Sequence, residues 1–167
     1  MTMADERTRA LRFGWEFLLE MRDSDCLTDE QRATVVKILR HYPSDIEIRH
    51  WALECAQATD QSMFWAPYLE PEEPRVRFPD DPVFAASIER GPTLAHERAR
   101  ALRQAFEFFR FGLRGCDNLT DKLRRQIPYV VRHFPEVQDL EHWARLDELN
   151  VRQDPAFRAW LLPEIKS

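Results

Sequence analysis

The chain has 167 residues, room for one ordinary domain or two small ones. Its formal charge of −5 argues against a generic nucleic-acid binder, and four Gly among abundant Leu, Ala, Arg and Glu make a helical composition. Cys26, Cys55 and Cys116 form no CxxC pair and point to reduced thiols rather than a disulfide frame. With no apolar signal region and no run of membrane-spanning length, a cytoplasmic protein is expected.

From the N-terminus, a first helix is predicted from about Asp5 to Arg22. Leu11, Trp15 and Leu18 fall on one stripe, with Ala10, Gly14, Phe17 and Met21 beside it. A turn follows at Ser24–Leu27. Thr28 and Gln31 have capping-box spacing and open a second helix that buries Val35, Ile38 and Leu39 and stops before Pro43. Ser44 and Glu47 give the same signal for a third helix through Ile48, Trp51 and Cys55 to about Ala58. Asp60 is expected to cap a short turn reaching Trp65.

Residues 66–92 read as a linker rich in Pro and acid. Pro71–Pro74 and Phe78–Pro82 are expected to be extended, because a residue before Pro avoids the helical region. Asp81 and Pro82 could open a short helix from Val83 to Arg90, ended by Gly91. Val83, Phe84 and Ile88 make it too apolar for a free tether, so it should pack on one of the modules.

Then the chain repeats itself. Glu6-Arg7-Thr8-Arg9-Ala10-Leu11-Arg12 returns as Glu97-Arg98-Ala99-Arg100-Ala101-Leu102-Arg103. Leu27-Thr28-Asp29 returns as Leu119-Thr120-Asp121, Arg40-His41-Tyr42-Pro43 as Arg132-His133-Phe134-Pro135, and His50-Trp51-Ala52 as His142-Trp143-Ala144. The offset grows from 91 to 92 at the turn after the first helix, where one residue is inserted. Thr93 is predicted to cap the first helix of this second copy and Thr120 the second, with Gly115 after the first. Pro128, at the position of Val36, should kink the second helix. Asp154-Pro155 should open a turn reaching Trp160.

The expected architecture is therefore all-α: a helical module at 1–65, the linker at 66–92 and a second module at 93–167. The two three-helix modules are expected to form a pseudo-twofold bundle, as a monomeric pseudo-dimer or a homodimer. A module of about 70 residues has a marginal core alone and needs a neighbour.

Most of what repeats is what a helical module needs. His41 and His133 sit at helix C-termini, where a cation is favoured, and His50 and His142 each precede a Trp of the expected core, Trp51 or Trp143. Two His per copy fall short of a metal site, and no metal or cofactor is expected. Arg7 and Arg98 read as structural too, suited to pairing with an acid on another helix. Without a glycine-rich phosphate loop, an HExxH pair or a nucleophile elbow, no enzyme is expected.

Function is then sought where the copies differ. Residues 1–70 carry 8 Lys and Arg against 13 Asp and Glu, whereas residues 93–167 carry 13 against 11. Phe108-Phe109-Arg110-Phe111 cannot all face one stripe, so Phe108 and Phe111 are candidates for a partner surface, with Phe13 as the reverse case in the first copy. Arg124, Arg125 and Arg132 are candidates to face an anion. The reading is a non-catalytic module acting through protein–protein contacts. The alternatives are a phage or mobile-element inhibitor that occludes a host defence complex, and a nucleic-acid-binding regulator.

Met1-Thr2-Met3, Glu6-Arg7-Thr8-Arg9-Ala10, Glu16-Phe17-Leu18 and Leu39-Arg40-His41-Tyr42-Pro43 resemble a family of short, uncharacterised proteobacterial proteins. Its members carry one copy of this module and have no established activity. The resemblance covers about residues 1–55, and residues 94–145 through the internal repeat. It implies a small bacterial helical protein and brings no site residues with it.

Overall fold

Capping chemistry sets several of the helix starts. In the computed structural model, which describes residues 2–60, 68–71 and 81–165, the chain forms α1 (Ala4–Asp23), α2 (Asp29–Leu39), α3 (Asp45–Asp60), α4 (Pro82–Arg90), α5 (Ala95–Glu107), α6 (Asp121–His133) and α7 (Val137–Gln153). No strand occurs among the described residues. Thr28 and Gln31 close a reciprocal capping box on α2, as do Ser44 and Glu47 on α3, and the Thr120 hydroxyl accepts from the Leu123 N–H on α6. Asp81 caps α4, which ends at Gly91 with φ 76°.

Three expectations change. Thr93 does not cap α5: the helix begins after Leu94, and Thr93 is drawn to Glu47 instead. The helix does not simply end before Gly115. α5 runs into a π-helical turn, Phe108–Gly112, whose wider i→i+5 winding lets the adjacent Phe108 and Phe109 both be buried. Pro128 lies inside α6, which continues on both sides of it. After a turn at Asp154–Ala156, the C-terminal segment is irregular up to residue 165. The turn expected at Asp60–Trp65 and the extended runs around Pro74 and Pro79 lie largely outside the described residues, while Asp60 itself belongs to α3.

The packing interlocks the copies. α1 lies against α2 and α3 of its own copy, and also against α6 of the other; α2 lies against α5, and α5 against α7. Apolar residues of both copies, among them Leu11, Trp15, Leu102 and Leu123, belong to one continuous core. The linker helix α4 packs on α3, so it belongs to the first copy's side. Leu69 and Leu161 are both fully buried. The segment at Tyr68–Leu69, within the linker, is thus packed into the core rather than free. Tyr68 and Trp160 are counterparts, each stacked on the Trp of the opposite copy.

Candidate protein-binding surface

The repeated residues meet at the seam between copies. His41 Nε2 lies 2.7 Å from Glu97, and His133 Nδ1 lies 3.4 Å from Glu6. These are the same two repeat positions paired twice, each time from one copy to the other. Burial pulls the pKa of His41 down, and Glu97 only partly opposes it. Trp51 and Trp143, also equivalent, meet edge to face at 6.1 Å. Trp160 stacks on Trp51, and Tyr68 stacks on Trp143 at 4.9 Å.

The repeated arginines hold those aromatic segments. Arg7 donates to the Tyr68 carbonyl at 3.2 Å and lies over Trp143; Arg98 donates to the Trp160 and Ala159 carbonyls and lies over Trp160. Arg98 is also 3.6 Å from the acid Glu47, whereas Arg7 meets a carbonyl. By contrast, His50 and His142 are exposed rather than part of the framework, and nothing in the structure explains their repetition.

A buried polar network anchors α4 to the first copy. Arg90 donates to the Leu39 and Tyr42 carbonyls and to Glu47, and lies over Trp15 at 4.9 Å. Glu47 also accepts from the N–H and hydroxyl of Thr93. Burial raises the pKa of Glu47, but bonds from Ser44 and Thr93 and the charge of Arg90 outweigh it, and the net shift is downward. Nearby, Asp45 takes Arg12 and Arg49 at 2.8 Å each. The second copy has Val137 in place of Asp45. There Arg103 turns to Glu164, and a pocket of about 220 Å3 lies over Val137, Leu140 and Ala144.

Of the candidate partner residues, only Phe111 is open. It is 47% exposed, with the guanidinium groups of Arg110 and Arg114 5.3 and 5.0 Å from its ring centre. Phe108 is buried, and Phe13 is half-buried between copies, stacked on Phe17 and tilted against Tyr129. Both are packing residues. The sequence pattern missed this because a π-turn and an inter-copy seam decide their faces.

Arg124 and Arg125 are exposed but turn onto the carbonyls of Asp117 and Asp121. Lys122 beside them reaches Glu20, and Arg132 lies close enough to Glu6 to lower its pKa slightly, after the larger effect of the Met3 N–H. The basic stretch is thus interleaved with acids and carbonyls.

Between α2 and α5 the seam opens into a groove of about 560 Å3, lined by Thr34, Lys37, Ile38, Gln104, Glu107 and Phe108, among others. Its counterpart between α6 and α1 holds Phe13 and Tyr129 in contact. Position by position, Gln104 stands for Phe13 and Lys37 for Tyr129. The aromatic plug on one side is replaced by flexible polar side chains on the other. Among the described residues, no group of three or more His, Cys, Asp or Glu is placed to hold a metal, and no helix is long and apolar enough to cross a membrane. No protein-family model, curated protein or solved structure matches the chain.

Proposed function

We propose that the chain is a non-catalytic protein-binding module, a fused pair of helical units related by a pseudo-twofold axis. The axis is supported by reciprocal contacts: equivalent residues meet at Trp51 and Trp143, and the Glu–His pair occurs in both directions. Such reciprocity is the mark of an isologous interface. A single-copy chain of this module would reach the same contacts by pairing with itself.

The observation that carries the binding reading is the groove between α2 and α5. The equivalent seam is filled by Phe13 and Tyr129 whereas this one is open, with the exposed Phe111 next to Gly112 on its wall. The partner is a protein that inserts an aromatic side chain between Lys37 and Gln104, the positions that Tyr129 and Phe13 fill in the other seam. Occlusion of a larger complex would be one use of such a contact.

The test is affinity capture with three proteins: wild type, Phe111→Glu, and the double variant Lys37→Tyr, Gln104→Phe, which copies the plug of the other seam. A partner recovered by wild type and lost with both variants supports the reading. Equal recovery with all three removes it.

A further inference from the structure

We infer that Cys26 and Cys116 form a redox-active thiol pair that a hydroperoxide closes into a disulfide between the two copies. Neither cysteine is repeated, and they are 90 residues apart in sequence. The fold nevertheless brings them together: the Cys116 Sγ lies 3.0 Å from the carbonyl oxygen of Cys26 and donates to it. Both lie in turns rather than helices, Cys26 between α1 and α2 and Cys116 between the π-turn and α6. Turn backbone can adjust to the narrow geometry of a disulfide, whose Cα atoms stand about 4.4–6.8 Å apart. The Cys26 Sγ lies 2.8 Å from the Ser24 hydroxyl, a group able to donate to a thiolate there.

The three cysteines differ in access and environment. Cys116 is half-exposed, so an oxidant reaches it first, while Cys26 is 8% exposed and shielded. Cys55 sits apart, its thiol pushed up to about 12 chiefly by burial, and so holds its proton. The chemistry balances in two steps. The Cys116 thiolate attacks one peroxide oxygen, the O–O bond breaks, and Cys116 becomes a sulfenic acid as hydroxide leaves and takes up a proton. The Cys26 thiolate then attacks the sulfenic sulfur. The S–S bond forms, the S–O bond breaks, and hydroxide leaves and takes up the proton that the Cys26 thiol released, giving water, so two thiols are oxidised and one peroxide is reduced. The product ties together the two turns that join the first and second helices of each copy.

The test uses the full chain, reduced, freed of reductant, treated with hydrogen peroxide, alkylated and digested with trypsin. The expected result is a cross-linked pair of peptides, Asp23–Arg32 with Gly115–Lys122, from a monomeric protein whose Cys55 remains alkylatable. The oxidised chain should melt at a higher temperature than the reduced chain, because the bond closes a long loop in the unfolded state. Cys116→Ser, which keeps a donor for the Cys26 carbonyl, should leave Cys26 fully alkylatable after peroxide. The inference is overturned if Cys26 stays alkylatable in the wild type, if Cys116 stops at the sulfinic acid, if the bond joins two chains or involves Cys55, or if the oxidised protein melts lower.

Discussion

Trp51 and Trp143 occupy the same position in the two copies and touch each other, ring centres 6.1 Å apart and planes at 84°. Each also carries an aromatic ring from the opposite copy's irregular segment, Trp160 on Trp51 and Tyr68 on Trp143. The four rings join the copies into one unit. A repeat that could have given two separate domains therefore has a shared core, and the consequences of that sharing can be measured.

Trp143→Ala should destabilise the whole chain by about 3–5 kcal/mol, the usual range for deleting a buried aromatic. It removes the contact with Trp51, the stack with Tyr68 and the seat of Arg7 together. Urea unfolding followed by far-UV circular dichroism and by tryptophan fluorescence should give coincident transitions in both wild type and variant. Two separated transitions would mean that the copies unfold independently.

Much of this was legible in the sequence, and the limits have physical causes. The caps at Thr28, Ser44, Thr120 and Asp81 are local chemistry, bonds reaching only two or three residues, and the sequence carries all of it. The stripe through Leu11, Trp15 and Leu18 fixes the buried face of α1, but a stripe does not say which helix covers it. That α1 meets α6 and α2 meets α5 is a tertiary choice, and the open groove follows from it. The π-turn inverted the reading of Phe108, since face assignment assumed ordinary helical winding. The Tyr68 and Trp160 segments lack periodicity, so their anchoring by Arg7 and Arg98 was invisible. The approach of Cys116 to Cys26 was equally so.

Glu47 gives the fold an acid-sensitive point. Its folded pKa lies below the unfolded value, because hydrogen bonds and Arg90 outweigh burial. Its contribution is therefore complete above the unfolded carboxylate pKa of about 4.3 and is lost as pH falls through the lower folded value. Asp45, held down by Arg49 and Arg12 against its own burial, adds in the same direction. Glu47→Gln should lower the melting temperature at neutral pH, and the gap to wild type should narrow as the sample is acidified from about pH 5 towards pH 2. A gap that is constant across that range would remove Glu47 as the titrating group.

Asp147 has the opposite sign. Burial raises its pKa, and the N–H bonds from Leu161 and Trp160 and the charge of Arg98 recover only part of the cost. A folded value above the unfolded one means that the ionised carboxylate opposes folding at neutral pH, and that this term favours folding as pH falls through the folded value. The amide oxygen of Asn can accept the same two N–H bonds without the charge. Asp147→Asn should therefore melt at or above the wild-type temperature at neutral pH. The two melting curves should converge on acidification. A clear loss of stability at neutral pH would show that the charge itself is needed, most simply by Arg98.

The sharpest test lies in a pair of differences between the copies. A Cβ built on Gly14 would stand 2.4 Å from the Tyr42 hydroxyl oxygen, too close to exist. That hydroxyl is fixed by its 2.7 Å bond to the Leu11 carbonyl. In the second copy the equivalent residues are Ala105 and Phe134, and the equivalent rings stack in the same way, Trp15 on Tyr42 and Phe106 on Phe134. Glycine is thus required where the hydroxyl is present and dispensable where it is absent. Gly14→Ala alone should destabilise, the clash exceeding the gain of about 1 kcal/mol that alanine brings to a helix interior. Tyr42→Phe alone should cost about 1 kcal/mol for the lost hydrogen bond. The double variant, which rebuilds the second copy's pair, should be more stable than Gly14→Ala alone, and the favourable coupling should show in a double-mutant cycle by urea denaturation. Additive losses would mean that the chain relieves the contact at Gly14 by moving backbone rather than by giving up the hydroxyl.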